Sequence, residues 1–516
     1  MPKKIHSPRK ITLLLQALSS SERSNFSDFV KSPYFNKDKK LIVIIDFLNN
    51  LLFYKEEPRI TEKHETEVFS KTFGIPVLKS QLTKKERALL NDKLSKLTTL
   101  AIKFLTVNDL QADSPEKTVL LLRQLHLKKL TTVFDSSRRK EKTKLAHQQI
   151  DKSFYLKNYH LERSLFEFQF QYQISKLLKK DNLGSVIEAL DVYFLIDRML
   201  LHLASMALLS NVGSKSYDFH SMNTILRLSE IPKYKNIPAV KICRTACSME
   251  TCKLLSKEQI NQDIKAQQHY QELIKLLNQE NAFTRDFKEV FYTLAINFCS
   301  HQTRRNKNDA FQQKAFELYQ QLESNGLMSN NSRVRASRLI NGISFACQSG
   351  NYNWAEDVSP KYIPFIDKAI RKGVASFIQG QIAFYQKKYE PADQFFLETE
   401  LAPQHRAYST NCKIFRLKCL YEINQYSFEA ANRKFRSEIL QRKMSKLLSK
   451  NDKTGQINFI KILSDLYKIK SSIKIERKSK AIQRLLTTKN KLKNKTFIAD
   501  VLWLEKKIEE LRQQLE

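Results

Sequence analysis

Catalysis and binding draw on nucleophiles, acid–base pairs, metal ligands or fields of charge, and only the last is abundant in this sequence. From Arg433 to Lys495 there are 20 basic and 4 acidic residues. The cations come in short groups: Arg433-Lys434-Phe435-Arg436, Arg442-Lys443, Lys468-Ile469-Lys470 and Arg477-Lys478-Ser479-Lys480. Such groups suit phosphates, which lysine and arginine bind with strong salt dependence and little reading of base sequence. The candidate polyanion-binding residues are therefore Arg433, Lys434, Arg436, Arg442, Lys443, Arg477, Lys478 and Lys480. Apolar residues such as Phe435, Ile439, Phe459, Ile462 and Leu466 persist through the stretch, which makes it a folded amphipathic region and not a loose basic tail. The competing reading is a solvated lysine-rich face, and charge alone does not separate the two.

Other constellations are weaker. Cys243-x3-Cys247-x4-Cys252 is the one cysteine cluster. On a helix the first two share a face and the third lies about half a turn away. Structural zinc prefers CxxC hairpins and four ligands, whereas unpaired cysteine is among the most buried residue types, so core packing is the expectation. The ten histidines show no HExxH or HxH spacing. Neither a phosphate loop of the GxxxxGK[ST] or GxGxxG kind nor a GxSxG nucleophile elbow is present. Glu56-Glu57 and Glu509-Glu510 sit among lysines and read as solvated helical turns. The expectation is a protein that is not an enzyme and uses no cofactor or metal.

What would position such a basic region is helix. Only 9 of 516 residues are glycine, and sheets with tight turns need glycine to reach positive φ. The length exceeds one ordinary core and implies several domains or one elongated repeat array. The odd number of cysteines, 7, scattered through apolar helical stretches, points to a reducing compartment. No run approaches the roughly 20 apolar residues of a membrane span. Lys3, Lys4, Arg9 and Lys10 precede a short apolar run that Gln16 interrupts, without a small-residue cleavage site, so a cytoplasmic location is expected. The net charge of +35 concentrates at the ends: +13 over residues 1–150 and +16 over 401–516.

Local punctuation is clear. Ser19 with Glu22, and Thr83 with Glu86, have capping-box spacing. Ser32-Pro33 stops the first of these helices, and Asn36 can cap the next, whose run Leu41 to Leu52 is apolar nearly all round and so reads as a buried central helix. Pro58 ends it, and Ser114-Pro115-Glu116 opens another. Phe154–Lys179 and Val186–Leu209 read as a long antiparallel pair.

The strongest pattern lies between Val334 and Glu438. Gly350-Asn351-Tyr352-Asn353-Trp354-Ala355, Lys387-Lys388-Tyr389-Glu390-Pro391-Ala392 and Asn424-Gln425-Tyr426-Ser427-Phe428-Glu429-Ala430 share one frame, with the tyrosines 37 residues apart each time. This resembles the turn of a tetratricopeptide repeat, although that repeat is nearer 34 residues and Lys387 and Asn424 stand where it carries glycine. The resemblance implies that Tyr352, Tyr389 and Tyr426 pack in the elbow of a helix pair. It also implies that Ala355, Ala392 and Ala430 let the second helix approach its neighbour. A looser resemblance lies in Leu18-Ser19-Ser20-Ser21-Glu22 and Phe29-Val30-Lys31-Ser32-Pro33-Tyr34-Phe35-Asn36, which look like the opening of a family of long, basic helical proteins of the Bacteroidota with an SPYFN motif and no assigned activity.

The expected fold is all-α, an α-solenoid of antiparallel, tetratricopeptide-like helix pairs with an N-terminal helical domain. Its segments are an N-terminal domain over 1–110, a repeat array over 111–440 and a basic C-terminal cap over 441–516. The expected function is a non-enzymatic scaffold whose concave face holds a protein or peptide. The alternative is a nucleic-acid-associated repeat protein that binds phosphate backbone through its basic ends.

Overall fold

The computed structural model describes residues 10–54, 60–76, 81–111, 115–212, 222–255, 260–279, 281–306, 310–330, 333–399, 406–423, 426–441, 450–473, 477–495 and 497–515. Among them every extended element is helical, and β pairing is confined to the isolated bridges Ile150–Phe283 and Asn330–Arg333. The chain divides into two compact units, 1–148 with 153–189, and 149–152 with 190–516.

The first unit holds α1 (Lys10–Ala17), α2 (Ser20–Lys31), α3 (Lys39–Asn49), α4 (Glu62–Phe73), α5 (Lys84–Gln111), α6 (Pro115–Leu127), α7 (Thr131–Ala146), most of α8 (Lys152–Tyr172) and α9 (Ile174–Lys179). The start of α10 (Leu183–Val212) belongs to it as well. Both capping boxes form: Ser19 N donates to Glu22 Oε2 at 2.7 Å and Glu22 N to Ser19 Oγ at 3.3 Å, and Thr83 and Glu86 repeat the arrangement. These bonds satisfy amides that a helix start otherwise leaves without partners. Leu41, Ile44, Ile45 and Leu48 of α3 are buried in a core shared with Phe26, Phe69 and Phe104. Asn36 does not cap α3. Asp38 does so, accepting from Lys40 N at 3.1 Å, while Asn36 Nδ2 donates to Val30 O and Asp38 O and ties the end of α2 to the start of α3. In the SPYFN segment Phe35 folds back to stack on Phe29 at 3.9 Å, and Tyr34 is exposed. The helix expected over Phe154–Lys179 is interrupted at Gln173, whose φ of −139° leaves the helical region. Pro58 and Ser114 lie outside the described residues.

The second unit continues α10 and adds α11 (Met222–Ser229), α12 (Pro232–Lys235), α13 (Pro238–Leu255), α14 (Ile260–Gln279), α15 (Arg285–Asn306) and α16 (Ala310–Ser324). Then follow α17 (Ala336–Gln348), α18 (Tyr352–Tyr362), α19 (Lys368–Tyr385), α20 (Tyr389–Glu398), α21 (Arg406–Ile423) and α22 (Ser427–Leu440). The last three are α23 (Lys450–Ser472), α24 (Lys478–Lys493) and α25 (Val501–Leu515). Successive helices pack on each other from α13 to α22, and α17, α19 and α21 also pack side by side. Two glycines permit the closest approaches: a Cβ on Gly342 would lie 2.9 Å from Tyr319 of α16, and one on Gly380 would lie 2.7 Å from the ring of Phe396 on α20. A single core of buried residues joins α21 and α22 to α23, α24 and α25, from Ile414 to Leu515.

Candidate functional site

The 37-residue frame has a backbone counterpart in its first two members. Gly350 has φ +77° and Lys387 φ +63°, both left-handed. Asn351 N reaches Ala346 O at 2.8 Å and Lys388 N reaches Ala383 O at 2.9 Å, the same helix-ending bond in each. Lysine thus adopts a conformation that glycine reaches without steric cost. Tyr352 and Tyr389 open α18 and α20, and Ala355 and Ala392, fully buried, come one turn later. Tyr352 Oη donates to Tyr385 O at 3.0 Å, satisfying a carbonyl at the end of α19.

The third member departs from the frame. Tyr426 and Ala430 are exposed, and the buried face of α22 is Phe428, Asn432, Phe435 and Ile439. Ala355, Ser359 and Tyr362 of α18 have the spacing of Phe428, Asn432 and Phe435. Phe428 follows Ala392 by 36 residues rather than 37, and a one-residue slip turns a helix by about 100°. The slip puts Tyr426 and Ala430 on the solvent side and a phenylalanine where the two alanines stand.

Part of the C-terminal positive charge is tied into the fold by buried, half-buried and surface pairs. Lys418 of α21 is buried among Phe415, Trp503 and Phe384, with Nζ 4.7, 5.2 and 5.6 Å from the ring centres, and it donates to Asp500. Burial pushes its ammonium down to about 7, while the nearby Cys419 and Glu422 favour the charged form. Lys470 Nζ donates to Tyr421 O at 2.7 Å and Glu422 O at 3.2 Å, so a cation closes the end of α21. Its ammonium is also lowered by burial. Lys507 pairs with Glu422 and Glu510, both at 2.6 Å. Burial opposes its charge, but these two partners outweigh burial and raise it. Lys491 reaches Asp465 at 2.9 Å, and Lys495 reaches Asn458 at 2.9 Å. These lysines hold the helices together.

A second set of cations faces a cavity of about 780 Å³ bordered by α22, α23 and α24. Its lining is Glu429 from α22, Tyr467, Lys468, Ser471 and Ser472 from α23, and Arg477, Lys480 and Arg484 from the start of α24 and the residue before it. Arg484 Nη1 donates to Ser472 Oγ at 3.3 Å. Tyr467 is nearly buried and stacks on Phe428 at 4.2 Å, which joins the groove floor to the core. Among the described lining residues Glu429 supplies the one carboxylate. Four cations converge on an open groove, an arrangement suited to an anion of more than one charge.

Of the eight candidate residues, the groove gathers Arg477 and Lys480. Lys478 is exposed beside it, and Arg433, Lys434 and Arg436 are exposed on α22 without lining it. Arg442 and Lys443 lie outside the described residues. The groove adds Lys468 and Arg484 to the set. Arg484 follows Arg477 and Lys480 at i+7 and i+4, the spacing of one helix face, which is the signal that points to it. Cys243 and Cys247 are fully buried, and burial raises both thiols. Among the described residues no group of three or more His, Cys, Asp or Glu is placed to hold a metal, and no helix is long and apolar enough to cross a membrane.

Comparison with family models, curated proteins and solved structures gave no match.

Proposed function

We propose that this chain is a non-enzymatic, cytoplasmic scaffold of tetratricopeptide-like helix pairs that holds a protein or peptide partner. The observation that carries the reading is the recurring elbow: left-handed Gly350 and Lys387, each followed by a tyrosine that opens a helix and an alanine buried one turn later. A recurring elbow stacks like helices side by side, and such stacks form extended concave surfaces suited to peptides and helices. The test is affinity purification of the tagged chain with and without nuclease. A reproducible protein partner that survives nuclease supports the scaffold. Recovery of nucleic acid alone, or of proteins that all vanish with nuclease, overturns it.

A second reading, association with nucleic acid through phosphate contacts, is favoured by the basic groove of α22, α23 and α24. It predicts binding that weakens steeply between low and moderate salt.

A further inference from the structure

We infer that the groove between α22, α23 and α24 holds the phosphodiester backbone of a single-stranded nucleic acid and leaves its bases unread. This deepens the second reading above and rests on it.

The first argument is the row of cations. Arg477, Lys480 and Arg484 are spaced by three and four residues, which places them along one face of α24 and its N-terminal cap. At about 1.5 Å of rise per residue the row extends roughly 10 Å, long enough to follow successive phosphates and too long for one. Lys468 faces the row from α23, with the Ser471 hydroxyl beside it, while the Ser472 hydroxyl donates to Lys468 O at 2.8 Å and accepts from Arg484 Nη1. Two of the four cations are arginines, whose planar forks match phosphate oxygens two at a time.

The second argument is size. A cavity of about 780 Å³ is on the scale of a small-ligand pocket. One strand can lie in it.

The third argument concerns the bases. Nonspecific binders of single strands usually offer aromatic faces on which bases stack. Tyr467 is the one aromatic residue lining the described groove, and its ring is packed against Phe428. With no stacking surface on offer, what remains is charge and a hydroxyl donor, which address the backbone.

Fluorescence anisotropy with oligo-U, oligo-dT and a duplex of equal length tests the inference across a salt series. R477E/K480E/R484E should weaken single-strand binding about 10-fold or more and lower the slope of log affinity against log salt by about 2, since each lost phosphate contact removes roughly 0.7. The control K434E/R436E, outside the groove, should change affinity only about twofold. Circular dichroism checks the fold, and the milder R477Q/K480Q serves if the triple variant does not fold. Binding of either oligo-U or oligo-dT through the groove supports the inference, and their affinity ratio assigns the sugar. Equal losses in groove and control variants, no loss in the groove variants, or tighter binding of the duplex overturns it and leaves the second reading standing. Displacement by poly-glutamate at matched charge overturns it in favour of an acidic protein. A wild-type chain that binds none of the three nucleic acids removes the second reading itself.

Discussion

Lys387 is the residue at which local chemistry and local geometry disagree most openly. Its φ of +63° copies Gly350, yet it carries a Cβ. A left-handed non-glycine residue costs about 1–2 kcal/mol, offset in part by the greater freedom glycine has when unfolded. Lys387→Gly should therefore stabilise the chain by about 0.5–1 kcal/mol, read as a rise in the midpoint of thermal unfolding. A fall would mean that the lysine side chain contributes more than its backbone costs. The glycine deficit is legible in the sequence, because Lys387 sits 37 residues after Gly350 in a matching frame. What is not legible is the slip at Phe428. Tyr426 keeps perfect spacing in the sequence, but spacing counts residues along the chain, and burial follows the rotation of the helix that begins one residue later.

Between elements, the closest approach at a described glycine is that of α20 to α19 at Gly380. The ring of Phe396 lies over this glycine and is itself held by Phe377 and Phe415, at 5.7 and 5.2 Å, so it has little room to retreat. Gly380→Ala should destabilise by about 1–3 kcal/mol, the usual penalty for an extra methyl group forced into a packed interior. The gain in helix propensity, about 1 kcal/mol, works against this and sets the lower end of the range. Chemical denaturation measures the difference, and a neutral or stabilising outcome would show that the two helices move apart freely. Helix starts were readable from Ser19, Glu22, Thr83 and Glu86 because a capping box is contained in four residues. The basic groove was only half readable. Its α24 wall shows as a helical spacing, but which faces of α22 and α23 turn Glu429 and Lys468 toward it is set by how the three helices pack. The same holds for Lys418 and Asp500, which are 82 residues apart.

For the molecule as a whole, the buried ionisable groups define a stability profile with pH. His202 is lowered to about 4 by burial, so the unfolded chain binds its proton first as pH falls below about 6.5, and stability declines on the acid side. Lys418 acts in the next window. Its folded value near 7 lies below the roughly 10.4 of an unfolded lysine, so between these values the unfolded state holds more protons and stability rises with pH. Lys470 shifts in the same direction. The thiols act oppositely. Burial raises Cys299 and Cys412 to about 11 and Cys347 to about 12, whereas unfolded thiols ionise near about 8.5, so stability falls above that value. The thermal midpoint should therefore peak between about pH 7 and 9. Lys418→Met should flatten the rise from neutral pH. An unchanged slope in that variant would assign the rise to other groups.

The buried cysteines carry one more consequence, for kinetics. Cys243, Cys247, Cys299, Cys347, Cys412 and Cys419 are sealed inside the second unit, and Cys252 alone is partly accessible. A thiol held in its protonated form and out of solvent does not react with an alkylating reagent until its surroundings open. The six positions lie on α13, α15, α17 and α21. Each is a clock on its own helix. The order in which they take up label under native conditions reads out which helices part first and which hold to the end.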